Sequence, residues 1–140
     1  YLSDSKSIIY LAKSLFEYEG PKSMAGHTMG GILGYFYLFL YDMAKNNELK
    51  RVDVSNVLEI FKRLQSHRID TAIVTGSTAR YLLAQNKMAG EFHFSKKHHH
   101  DYTYQTLCQG LPDEQFKQIK RVTANMPNDP DWKNRISRYL

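Results

Sequence analysis

Apolar residues recur along this chain at spacings that predict one helix after another. Ile8, Leu11, Ala12, Leu15 and Phe16 fall at i, i+3, i+4, i+7 and i+8 and draw a single apolar face. Gly20-Pro21 supplies the stop, glycine for a left-handed cap and proline because it cannot continue the ladder. Ile32 to Tyr41 (ILGYFYLFLY) is apolar on every side, which predicts a central, buried helix. A membrane span needs about 20 apolar residues. His27 and Asp42 bracket a shorter stretch carrying three tyrosines, so the buried soluble helix is preferred. Gly26, Gly30 and Gly34, spaced four apart, predict a smooth stripe for close helix approach.

Asp53 is placed to cap a third helix, with Val54, Val57, Leu58, Phe61 and Leu64 on its buried side. Glu59 and Arg63 sit at i,i+4 on that helix, the spacing of an ion pair on its solvated face. Ala72 to Val74 reads as either a short strand or a helix start. Thr75 to Thr78 breaks the pattern, and Ala79 to Gln85 resumes it as a helix. Phe92, Phe94, Tyr102 and Tyr104 alternate in a way that suits a loose hairpin or an ordered loop. Pro112 opens a further helix with Asp113 and Glu114 at its positive end and Phe116, Ile119 and Val122 inward. Met126 to Asp131 is a turn, and a last short helix buries Trp132, Ile136 and Leu140. The fold expected is all-α: one domain over residues 1–140, a compact bundle of roughly five or six helices around the central hydrophobic one, with an irregular His-rich loop. The first residue is Tyr1 and not Met, which reads as a fragment or processed piece of a larger chain.

Composition adds a class of partner. The 140 residues carry a formal charge of +5 and a sequence pI near 9.3, which favours acidic partners. Residues 48–100 hold nine basic against five acidic side chains, while residues 1–47 balance at four and four. Cys108 is the only cysteine, so an internal disulfide and a cysteine-based zinc motif are both excluded. An intracellular location, cytoplasmic or nuclear, is expected on that ground.

Glu91 to Tyr104 (EFHFSKKHHHDYTY) concentrates the chemistry, with four of the six histidines. His93, His98, His100 and Asp101 offer nitrogen and oxygen ligands for a divalent metal, but their spacing matches no usual template. Histidines titrate near about 6.5, so acidification adds charge beside Lys96 and Lys97. Single strands are held by cations on phosphates and by flat rings on bases. His93, Lys96, Lys97, His98, His100, Tyr102 and Tyr104 have that chemistry, and Lys62, Arg63, Arg68, Arg80, Lys117, Lys120 and Arg121 extend the field if folding gathers them. Within IVTGSTAR, Gly76, Ser77 and Thr78 would aim helix-start amides at a phosphate, although an ordinary helix cap explains the same residues. No P-loop, dinucleotide fingerprint or GxSxG elbow occurs, no catalytic residue is assigned and no cofactor is expected. The leading expectation is therefore a non-enzymatic module binding RNA or single-stranded DNA. The second is a protein-interaction or self-assembly domain, and the third a metal-dependent nuclease or toxin using the His cluster.

Overall fold

The Ile8-Ile9-Tyr10 run that opens the expected first helix lies within a strand, near its end. In the computed structural model, which describes residues 2–139, β1 spans Leu2–Leu11. Ile8, Ile9 and Tyr10 are all buried. Alternate β1 side chains point to opposite faces. Ile8 and Tyr10 join one core cluster with Met29, Leu40, Met43 and Ile73, whereas Ile9 joins another with Phe61, Leu64, Val74 and Leu83. A strand covered on both faces needs no polar alternation, and its apolar run then mimics one turn of helix.

The remaining strands are β2 (Thr28–Ile32), β3 (Lys50–Val54), β4 (Thr71–Thr75), β5 (Phe92–Phe94) and β6 (His100–Tyr104). They form one mixed six-stranded sheet in the order β3-β2-β4-β1-β5, with β6 also paired to β1. β2 runs parallel to both β3 and β4, while β1 is antiparallel to β4, β5 and β6. Short helices connect the parallel strands, α1 (Leu40–Lys45) between β2 and β3, and α2 (Val57–Gln65) between β3 and β4. α1 supplies Leu40 and Met43 to the first cluster, and α2 supplies Ile60, Phe61 and Leu64 to the second. The all-α bundle is thus corrected to an α/β layered fold.

The expected central helix does not form. Ile32 ends β2, residues 33–39 make an irregular loop, and only Leu40 and Tyr41 enter α1. Tyr37 and Leu40 are buried, but Tyr35, Phe36, Leu38 and Phe39 are more than half exposed. Gly34 (φ +83°) turns the chain there, a conformation that favours glycine. Gly30 lies in β2, where a Cβ would come within 2.5 Å of the Ile69 side chain. The glycines therefore serve strand packing and a turn, and they form no helical stripe.

Several expectations about helices hold. Glu59 and Arg63 pair at 2.8 Å on α2, whose cap is Asn56 in place of Asp53. Gly76–Gln85 is α3, Asp113–Asn125 is α4 and Pro130–Ile136 is α5. Phe116 and Val122 of α4 are exposed, against expectation, and neither α4 nor α5 buries a residue. Leu140 lies outside the described residues. Among the described residues no helix is long and apolar enough to cross a membrane.

Candidate ligand-binding cleft

Sheet pairing brings residues distant in sequence to one point. Lys6 of β1 lies opposite Thr75, the last residue of β4, on one side and opposite His100, the first residue of β6, on the other. The loop that leaves β2 passes over the same place. A cleft of about 460 Å³ opens there, lined by Lys6, Thr75, His99, His100, Tyr102, Tyr104 and the loop residues Tyr35 to Phe39. β2 and β4 are parallel neighbours whose connections diverge, toward β3 from one and toward α3 and β5 from the other. In open α/β sheets such a switch point, beyond the carboxyl ends of the strands, forms a natural crevice for ligands.

The polar groups of the cleft form a chain. The Lys6 ammonium donates to the Thr75 hydroxyl at 2.8 Å, and that hydroxyl is bonded in turn to the Tyr102 phenol. The Tyr102 and Tyr104 phenols stand 3.5 Å apart. Lys6 also lies 4.9 Å from the Tyr35 ring centroid and 5.9 Å from that of Tyr102, within reach of a cation–π interaction. Desolvation holds its pKa below the ordinary lysine value, opposed by a smaller pull from Asp4. Burial, with the Tyr104 bond adding to it, pushes the Tyr102 phenol up. Among the described residues no carboxylate lines this cleft, and its basic side chains are Lys6, His99 and His100.

Its walls are fastened from behind. Arg51 donates to the Tyr35 carbonyl at 2.9 Å and lies 5.0 Å from the Tyr37 ring centroid. The Ile32 amide donates to the Tyr37 hydroxyl, and the Leu33 amide to the Val54 carbonyl, both at 2.9 Å. His99 faces the Tyr18 hydroxyl through Nδ1 at 2.8 Å and is bonded to the Leu38 backbone. Burial lowers its pKa, against the Leu38 bond, and pushes the Tyr18 phenol up to about 12. The backbone of the loop is therefore held while the Tyr35, Phe36 and Phe39 rings stay exposed.

The residues singled out in the sequence are placed as follows. His100, Tyr102 and Tyr104 line the cleft; His93, Lys96, Lys97 and His98 do not. His93 lies 3.6 Å from Glu17, the Lys96 amide donates to the same carboxylate, and Lys97 donates to the Glu19 carbonyl. His98 pairs with Asp101 at 2.6 Å, while His100 stacks beside Tyr102. Among the described residues no three His, Cys, Asp or Glu side chains gather for a metal. Arg80 covers the Phe94 ring at 4.6 Å. Lys62 and Arg63 lie on α2 and Arg68 beyond its end, none of them in the cleft lining, and Lys117, Lys120 and Arg121 belong to α4, where Lys117 pairs with Glu114. Gly76, Ser77 and Thr78 do open a helix after a strand. The Ser77 amide and hydroxyl, however, donate to the Asp4 carboxylate. Lys6 and the Tyr35–Phe39 loop were missed. Only the pairing of β1 with β4 and β6 brings Lys6 into the cleft, and no local pattern marks it.

No protein-family model and no curated protein matches the chain. Solved structures do resemble it. The GluR0 ligand-binding core in complex with L-glutamate superimposes with a TM-score of 0.77 at 12% identity, over 100% of this chain and 61% of that one. A mutant of ArgBP from T. maritima gives 0.72 at 17% identity, over 99% and 58%. The second substrate-binding domain of a putative amino acid ABC transporter from Streptococcus pneumoniae gives 0.68 at 14%, over 100% and 62%. The chain thus spans about six-tenths of the length of these structures. The chain shares the α/β fold of these structures, and that finding overturns the expectation of an all-helical nucleic-acid-binding module. The dispersal of the cations agrees with that correction, since the positive side chains expected to form one groove lie on several elements and many bond within the chain.

Proposed function

We propose that the chain forms one wall of an amino-acid-binding site, with the ligand in the cleft at the ends of β2 and β4. The observation that carries this reading is the composition of that cleft at the switch point. A small set of polar groups, Lys6, Thr75 and the Tyr102 phenol, converges among aromatic rings, the usual make-up of a small-molecule site. The solved structures of the same fold support the ligand class, being named for arginine, for glutamate and for amino acid transport. Binding without chemistry is the activity expected.

Thermal unfolding of the full-length protein with each of the common L-amino acids tests this. A ligand at 100 times its Kd stabilises the folded state by about 2.7 kcal/mol, which raises Tm by several degrees. No shift with any amino acid at tens of millimolar would overturn the reading.

A further inference from the structure

Solved structures of this fold are described as bound to arginine, glutamine or glutamate, so the fold leaves ligand charge open. We infer that this cleft selects an amino acid with an acidic side chain and rejects a basic one, with Lys6 as the selecting residue; this rests on the amino-acid reading above. Lys6 donates one hydrogen bond, to Thr75. An ammonium has three donors, and the other two have no protein acceptor among the described residues. The nearby Asp4 carboxylate accepts from the Ser5 amide and from the Ser77 amide and hydroxyl, and among the described residues no carboxylate bonds directly to Lys6. The cation is therefore partly desolvated, directed at the cleft and without a bonded anion.

A ligand side-chain carboxylate supplies the missing bonded anion. A guanidinium or ammonium side chain meets the opposite conditions. It would be a second cation beside Lys6, and among the described residues no carboxylate lines the cleft to pair with it, so its charge would be costly. The Tyr35 and Tyr102 rings, which would otherwise favour it, already face Lys6. Glutamine matches glutamate in shape but offers Lys6 no side-chain carboxylate. The same holds for asparagine against aspartate.

Calorimetric titration of the full-length protein with these two pairs and with arginine reads the charge alone. Wild-type protein is expected to bind the better of glutamate and aspartate at least about tenfold more tightly than its amide, the scale of one lost charge-assisted contact, and to bind arginine least. Lys6→Met should reduce the acid-to-amide ratio to near one, with circular dichroism unchanged. Equal wild-type affinity for acid and amide overturns the inference, as does a ratio that survives in Lys6→Met. Tight binding of arginine or of neutral amino acids alone overturns it while leaving the amino-acid reading intact. Failure to bind any amino acid removes both. Should Lys6→Met not fold, the wild-type ratio decides by itself.

Discussion

Asp4 and Lys6 stand two residues apart on β1, yet the fold treats their charges in opposite ways. The Asp4 carboxylate sits at the start of α3, where it accepts from the Ser77 amide and hydroxyl and from the Ser5 amide. Negative charge is favoured at that end of a helix, and the chain supplies it. Lys6 points into the cleft, where one hydroxyl and two rings surround it and no anion is bonded to it. A helix start that the sequence allowed as an anion site, beside the simpler reading of an ordinary cap, is filled from within. A lysine with no local signature is left needing an anion. The difference separates polar groups that folding satisfies from those it leaves for a ligand.

The comparison can be broken from either side. The largest stability effect is expected at Asp4. Asp4→Ala removes charge-assisted hydrogen bonds at the helix start and should cost about 2 kcal/mol, read as a fall in Tm of several degrees. An unchanged Tm would mean that the carboxylate does not serve the fold. Acid should weaken the cleft's outer wall next. The folded-state pKa of His99 is lowered, chiefly by burial, so below its unfolded value near 6.5 the unfolded chain takes up the proton first. Its contribution is kept above that value and lost as pH falls toward the folded value. A His99→Gln variant should show a flatter stability profile across that window in chemical denaturation.

Lys6→Met should change stability little, by less than about 1 kcal/mol. The substitution keeps most of the aliphatic stem and removes a cation that folding partly desolvates. A large loss of Tm would show that Lys6 serves the fold as Asp4 does, and would end the contrast. The smallest effect lies at alkaline pH. The folded pKa of Lys6 is below its unfolded value of 10.5, so the cost of the buried cation is present at lower pH and relieved as pH rises through that interval. Wild type should therefore gain on Lys6→Met between the two values. Taking the difference cancels the tyrosines, whose raised folded pKa values lower stability in the same range for both proteins.

Parts of this arrangement were legible in the sequence and parts were not. α2 follows from its apolar spacing and its Glu59–Arg63 pair, and the strand-turn-helix around Gly76 was one of the two readings of that segment. β1 was not, because a strand buried on both faces presents the apolar run Ile8-Ile9-Tyr10 without a polar alternation. Ile32 to Tyr41 misled for the reverse reason. Its apolar residues suggest a core helix, yet the loop projects most of them at the cleft and at solvent, while Tyr37 and Leu40 alone are buried. Tyr102 and Tyr104 could be singled out by composition. Lys6 could not, since its role depends on pairing β1 with Thr75 across sixty-nine positions and with His100 across ninety-four.

A crystal structure of the full-length protein grown with saturating glutamate tests the central claim most directly. The account predicts the ligand in the cleft beside Thr75, with its side-chain carboxylate about 2.7–3.2 Å from the Lys6 ammonium, the range of a hydrogen bond. An empty cleft at saturation, or glutamate bound with its side chain away from Lys6, would contradict it.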